Sequence, residues 1–124
     1  MAKKILVIDD EELIIKSLSK LLEQNGFEVF GTKKSQDALV MLEEEDFDLI
    51  ITDVRMPGMN GVEMLESIYK NKGEKKQRKI PTIFITGYSD EALEEKAKTL
   101  APLAYIYKPF DTKELLNKIK KVLT

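Results

Sequence analysis

The chain has 124 residues, 43% apolar and 34% charged, with 20 Lys and Arg against 22 Asp and Glu for a formal net charge of −2, and it contains neither Cys nor His. One domain of this length buries a real core, and the near-balance of charge argues against a general nucleic-acid footprint. The two missing residue types exclude disulfides, thiolate nucleophiles, Cys- or His-based metal centres and every histidine-dependent triad. Chemistry here must therefore run on carboxylates, hydroxyls, amines, backbone groups or an oxygen-bound cation such as Mg²⁺.

Lys4–Ile8 is a continuous β-prone run that ends at Asp9-Asp10. Its lack of in/out alternation predicts a strand buried on both faces. Its four apolar residues are too few for a signal peptide, and no run approaches the roughly 18 of a membrane span, so a soluble, cytoplasmic protein is expected. A helix follows with Ile14, Leu18, Leu21 and Leu22 on one face, closed by Gly26 as a left-handed cap. Phe27–Gly31 is a second, shorter strand. Ser35 is positioned to cap a helix burying Ala38, Leu39 and Leu42, and Leu49–Thr52 is a third strand ending at Asp53. The turn residues Pro57, Gly58, Asn60 and Gly61 lead into a helix with Val62, Leu65, Ile68 and Tyr69 inward. Asn71–Lys79 is polar and basic and reads as a solvated loop.

Ile80–Thr86 is the fourth strand, with Pro81 near its start. Ser89 or Asp90 caps a helix carrying Leu93, Ala97 and Leu100, and Ala104–Tyr107 is the fifth strand. Asp111–Glu114 has the form of a capping box for a last helix bearing Leu115, Ile119, Val122 and Leu123. Strict alternation of five strands and five helices predicts a parallel sheet with helices on both faces, in one domain over 1–124.

In such open sheets ligands bind beyond the carboxyl ends of the strands, where strand order reverses. With strand order 2-1-3-4-5, Asp9, Asp10 and Asp53 converge, and Thr86 and Lys108 lie along the same edge. Read singly, each has a plain role: Asp9 or Asp10 as a helix cap, Asp53 as a turn residue, Thr86 as a core hydroxyl, Lys108 as a solvated lysine. Read together, three carboxylates on adjacent strand ends repel unless a cation joins them. Mg²⁺ needs one to three carboxylates plus water, and a lysine and a hydroxyl facing that spot suit a phosphoryl group.

The segments Ile5–Asp10, Asp48–Gly61 (DLIITDVRMPGMNG), Ile80–Gly87 (IPTIFITG) and Tyr105–Phe110 (YIYKPF) resemble, in order and spacing, the receiver domain of bacterial two-component response regulators, of the single-domain, chemotaxis-regulator-like kind. The resemblance covers essentially the whole chain. It implies a flavodoxin-like (βα)5 fold and a signalling switch, not a turnover enzyme. Asp53 then corresponds to the phospho-acceptor. Asp9, Asp10, Asp53 and the backbone carbonyl of Arg55 correspond to the ligands of Mg²⁺ or Mn²⁺. Lys108 would pair with a phosphoryl oxygen and Thr86 would bond another. Tyr105 would swing inward as Thr86 moves, unless it is plain core. Pro109 would form a cis bond after Lys108, the alternative being a trans turn proline, and Pro57 and Gly61 would shape the loop after Asp53. The implied partners are a sensor histidine kinase or histidine phosphotransferase and a downstream output protein. That output protein would meet the surface of Ser89–Leu103, Ala104–Tyr107 and Asp111–Thr124. No direct DNA or membrane binding is expected, and the active form is a monomer or a phosphorylation-dependent dimer.

Several positions depart from the family pattern. Arg55 and Tyr88, two past Asp53 and Thr86, flank the path of a hydrolytic water and are expected to slow its entry. Ala101-Pro102 stands where the family usually has Gly-Ala. Lys113, Lys118, Lys120 and Lys121 make the last helix basic, as a solvated face or a docking surface. Three other readings are weighed: a haloacid-dehalogenase-type phosphatase, which wants an Asp where Arg55 stands; a non-phosphorylated receiver acting as a binding module; and a receiver cut from a larger regulator or hybrid kinase.

Overall fold

A computed structural model describes residues 2–71, 79–87 and 89–123. The apolar runs become five strands, β1 (Lys4–Ile8), β2 (Glu28–Thr32), β3 (Leu49–Asp53), β4 (Thr82–Thr86) and β5 (Ala104–Tyr107), alternating with α1 (Glu12–Gln24), α2 (Ser35–Glu44), α3 (Gly61–Asn71), α4 (Glu91–Thr99) and α5 (Thr112–Leu123). All pairings are parallel, in the order β2-β1-β3-β4-β5 that the sequence predicts. Every residue of the central strands β3 and β4 is buried, as unalternating apolar runs require.

Because side chains alternate along a strand, the sheet feeds two cores. Ile5, Val7, Leu49, Ile51, Ile83 and Ile85 pack against Leu18 and Leu22 of α1 and Leu115, Ile119 and Leu123 of α5. Leu6, Ile8, Ile50 and Phe84 face the other way, onto Ala38 of α2, Leu65 of α3 and Ala97 of α4. Each fully buried Leu or Ile contributes about 1.5–3 kcal/mol. The register sets Ile8 beside Thr32 and Thr52, Asp53 beside Ile85, and Thr86 beside Tyr107. The strands thus finish in one row, and the residues that follow them share one edge.

Local chemistry moves several predicted boundaries. Gly26, at φ 88°, donates to Glu23 O while Phe27 N–H closes back on Leu22 O, so β2 starts one residue later than predicted, at Glu28. Proline has no N–H for a ladder, and β4 starts after Pro81, whose carbonyl still accepts from Ile50 N–H. Ser35 does not cap α2. Lys34 takes that extended position, Ser35 is the first helical residue, and its buried hydroxyl has no hydrogen-bond partner among the described residues. Val122, predicted inward, is exposed because Ile119 and Leu123 already fill the face of α5 that meets the sheet. Of the two candidates, Asp90 caps α4, accepting from Leu93 N–H. Asp111 Oδ1 accepts from Lys113 and Glu114 N–H at the start of α5. Asn71 closes α3; positions 72–78 of the predicted polar loop lie outside the described residues.

The Ala101-Pro102 departure has a structural consequence. Ala101 follows the end of α4 with φ 51°, the left-handed region where glycine ordinarily sits. Its N–H closes on Lys98 O, and Pro102 has no N–H for the second closing bond. A Cβ there costs about 1–2 kcal/mol, against about 0.5–1 kcal/mol for the extra freedom glycine gives the unfolded chain. Ala101→Gly is expected to stabilise the protein by about 0.5 kcal/mol, read as a higher urea midpoint at unchanged denaturant slope.

Candidate functional site

Asp9 and Asp53 extend β1 and β3 to their carboxyl ends and are buried, at 0% and 5% exposure. Asp9 does not occupy the cap position of α1, which belongs to Glu11. Its Oδ1 accepts the Glu11 N–H at 2.8 Å. Asp53 Oδ1 accepts the Arg55 N–H at 3.3 Å. Asp10 is exposed beside them, and the three residues each offer a carboxylate oxygen within 4.8 Å of the others. Thr86 is fully buried at the end of β4, and its carbonyl accepts Lys108 N–H at 2.7 Å. That bond ties the lysine to the same edge. The Lys108–Pro109 peptide is cis.

Lys108 Nζ lies 2.9 Å from Glu11 Oε1, 3.0 Å from Asp9 Oδ2 and 3.2 Å from Asp53 Oδ2. Asp9 and Asp53 were anticipated from the sequence; Glu11 was not. Its one sequence signal is its place directly after the acidic pair, at the head of a helix. Burial raises the Asp9 carboxyl above its ordinary value, opposed by the Glu11 N–H and by Lys108. Burial also raises Asp53, opposed first by the Lys108 charge. Burial alone would lower Lys108, but Glu11, Asp9 and Asp53 outweigh it and hold the ammonium protonated well above the ordinary lysine range.

The donor set suits a hard divalent cation. The clustered side-chain donors of Asp9, Asp10 and Asp53 are all carboxylate oxygens, the kind Mg²⁺ selects. Asp9 Oδ2 is buried and takes no directed hydrogen bond although the ammonium stands 3.0 Å away, so it retains capacity for a cation.

The loop after β3 is held at both ends. Val54 N–H bonds Ile85 O, Gly61 N–H bonds Val54 O, and Val54 and Met56 are buried. Pro57 is exposed, and Gly58 turns at φ 78°. Asn60 and Glu63 cap α3 reciprocally, each side chain accepting the other's N–H. At Gly61 a Cβ would fall 2.2 Å from the Asp53 carbonyl oxygen and 3.0 Å from Thr52 Oγ1, so glycine is needed for backbone clearance beneath the acidic residue. Arg55 is exposed; Tyr88, its predicted counterpart on the water path, lies outside the described residues.

Tyr105 packs on Phe84 and Tyr107, with ring centroids 6.1 and 5.6 Å apart, and its buried hydroxyl has no hydrogen-bond partner among the described residues. Burial, with the nearby Glu94, Asp90 and Asp53 charges, raises that hydroxyl's pKa. On the exposed side of β5, the Tyr107 hydroxyl donates to Glu94, which also pairs with Lys98 at 3.1 Å.

Comparison with known proteins follows the same outline. A family model described as "Response regulator receiver domain" matches residues 5–120. The transcriptional regulatory protein CrdR of Helicobacter pylori is 37% identical over 121 residues, covering 98% of this chain and 55% of that protein. The probable transcriptional regulator ycf29 of Pyropia yezoensis is 32% identical over 123 residues, covering 99% of this chain and 54% of that protein. This chain therefore spans about half the length of those relatives. The CheY-like response regulator receiver domain protein of Methanospirillum hungatei JF-1 superposes with a TM-score of 0.88 at 32% identity, covering 99% of this chain and 94% of that one.

Gly61→Ala is expected to destabilise the fold by about 1–3 kcal/mol, the usual size of an overpacking strain, and to displace Asp53. Denaturant unfolding and the Asp53 amide resonance read both effects. Asp9 and Asp53 carry raised values in the folded state, so the native protein holds their protons more tightly than the unfolded chain does. Their contribution favours folding below about pH 4 and is lost as pH rises through the folded-state values. Asp53→Asn removes one desolvated charge and leaves Lys108 two partners. At pH 7 without divalent cation it is expected to raise stability by about 1–2 kcal/mol. That gain should shrink toward pH 4, and Mg²⁺ should raise the thermal midpoint of the parent chain more than that of the variant.

Proposed function

The chain belongs to the response regulator receiver family, a family of signalling switches, and from that premise we propose that it takes a phosphoryl group onto Asp53 from a phosphohistidine on a sensor histidine kinase or histidine phosphotransferase, and changes its partner affinity in response. The observation that carries this reading is the seating of Asp53: buried at a strand end, 3.2 Å from the Lys108 ammonium, and grouped with two further carboxylates. The chain has no histidine, so the phosphohistidine belongs to another protein or domain.

In the proposed step an Asp53 carboxylate oxygen forms a bond to phosphorus as the donor's P–N bond breaks. The electron pair returns to the imidazole, and the product is an acyl phosphate. Asp9, Asp10 and Asp53, with the Arg55 backbone carbonyl that the family resemblance adds, would hold Mg²⁺ or Mn²⁺, whose charge offsets the anions that meet there. Lys108 pairs with a phosphoryl oxygen and the Thr86 hydroxyl donates to another, drawing the β4 end toward Asp53. Tyr105 follows Thr86. Its hydroxyl, without a hydrogen-bond partner among the described residues, supports that role, because a buried orphan of this kind is costly and no hydrogen bond would be broken as the ring moves.

The readout is the surface of α4, β5 and α5, where the Tyr107–Glu94–Lys98 cluster and Lys113, Lys118, Lys120 and Lys121 lie. CrdR and ycf29 are transcriptional regulators by name and about twice as long. An output segment or partner acting on transcription is therefore the proposed recipient, with these 124 residues acting as one receiver unit, as a monomer or a phosphorylation-dependent dimer. Among the described residues no helix is long and apolar enough to cross a membrane, and the proposed site of action is the cytoplasm. Arg55 together with Tyr88 is proposed to set the lifetime of the acyl phosphate.

Incubation with a small acyl phosphate and Mg²⁺ is expected to add one acid-stable, base-labile phosphoryl group, seen by intact mass, and Asp53→Asn is expected to abolish it. Absence of uptake would make the chain a non-phosphorylated binding module. Repeated turnover of varied phosphoesters would make it a phosphatase.

A further inference from the structure

Glu11 touches the same ammonium as the buried carboxylates, yet nothing in the proposed transfer step uses it. Its Oε1 is 2.9 Å from Lys108 Nζ, the shortest of the three pairs on that nitrogen. The three partners differ in kind. Asp9 and Asp53 are fixed at strand ends and their side chains are 0% and 6% exposed, whereas the Glu11 side chain is 60% exposed at the head of α1. An ammonium has three donors, and here three carboxylates stand around it. Two of those donors are directed at Glu11 and Asp53, and Asp9 Oδ2 stands 3.0 Å from the nitrogen, so a further acceptor has to compete with anions already in place.

We propose that Glu11 is a positioning residue for phosphoryl transfer: it holds the outer side of the Lys108 ammonium in the resting protein and gives up that place to a phosphoryl oxygen. The proposal rests on the reading of Asp53 as phospho-acceptor. The order of release follows from burial. Freeing Asp9 or Asp53 leaves a desolvated charge unpaired, which is costly. Freeing Glu11 returns an exposed carboxylate to water, which costs little. Phosphorylation adds charge and three acceptor oxygens at Asp53, within reach of the ammonium that Asp53 contacts at 3.2 Å and able to compete with Glu11 for it. The exchange then needs only a rotation of a solvent-facing side chain. The Glu11 backbone is held independently, through its N–H on Asp9 Oδ1, so changing its side chain leaves the turn into α1 intact. Lys108 N–H likewise stays on Thr86 O.

Four proteins test this: the parent chain, Glu11→Gln, Glu11→Asp and Glu12→Gln. Glu12 is the neighbouring carboxylate and pairs with Lys33 and Lys16, so its variant measures the effect of removing one nearby charge. Glu11→Asp keeps the charge and withdraws the carboxylate by one methylene. Phosphoryl uptake from a small acyl phosphate with Mg²⁺ is read by mass, and the Lys108 ammonium by its side-chain ¹⁵N resonance. Uptake is expected to rise about three- to fivefold in Glu11→Gln, the scale of one partly exposed ion pair. Glu11→Asp should follow it and Glu12→Gln should not. The Lys108 resonance of the resting Glu11 variants should shift, and phosphorylation should then move it less than in the parent chain. Equal acceleration in Glu11→Gln and Glu12→Gln, parent behaviour in Glu11→Asp, or an unmoved Lys108 resonance would overturn the proposal. No uptake in any of the four proteins would instead overturn the assignment of Asp53.

Discussion

One ammonium, that of Lys108, is the interaction on which the site depends. The parallel sheet delivers Asp9 and Asp53 to adjacent strand ends, where burial makes their charges unfavourable neighbours. Without a cation between them they would repel or take up protons. The lysine meets both from the end of β5, 55 residues beyond Asp53 in sequence. The bond from its backbone N–H to Thr86 O fixes where it stands. The site is therefore assembled at long range, by strand order, before any ligand arrives.

That assembly makes the site responsive. The same ammonium compensates the resting carboxylates and, in the proposed function, would serve an added phosphoryl group, so a change of charge at Asp53 would bear on contacts of β1, β3 and β5 together. Thr86 is the link to the rest of the molecule. It ends β4, its carbonyl holds Lys108, and the strand beside it carries Tyr105 and Tyr107. Tyr105 packs on Phe84 of the core, and Tyr107 bonds Glu94 of α4. A contiguous set of packed groups thus runs from the acidic edge to the outer face of β5. Such a set transmits only if it has two arrangements, and the Tyr105 hydroxyl, without a hydrogen-bond partner among the described residues, is where a second arrangement would have least to overcome.

The strands, and the placing of the candidate residues at their carboxyl ends, were legible in the sequence for a physical reason, while the strand order came with the family resemblance. A parallel strand buried on both faces is written as an unbroken apolar run, and a polar residue directly after such a run has to sit at the carboxyl edge. Asp9, Asp53, Thr86 and Lys108 all stand in that position. Caps were legible where a side chain acts on its own local backbone, as at Gly26, Asp90 and Asp111. Ser35 was misread because Lys34 already takes the extended cap geometry, so the hydroxyl falls inside the helix. Val122 was misread because i+7 from Leu115 lies at the margin of the buried stripe, which the neighbouring Leu123 fills.

Glu11 shows what the linear pattern does not contain. Its partner lies 97 residues away, and nothing around Glu11 distinguishes it from Glu12, which faces Lys33 and Lys16 instead. The difference arises from helix geometry: the turn from β1 into α1 is set by Asp9 Oδ1 on Glu11 N–H, which places residue 11 over the strand ends and residue 12 about 100° further round the helix. A buried carboxylate thus orients an exposed one. Asp9 has two effects in the site, one as a charge on the ammonium and one through the backbone it pins. The two are carried by different oxygens, Oδ2 toward Lys108 and Oδ1 toward the Glu11 amide. An amide in place of Asp9 would lose the charge at the first while keeping an acceptor for the second, so the electrostatic and geometric parts of the site are separable within a single side chain.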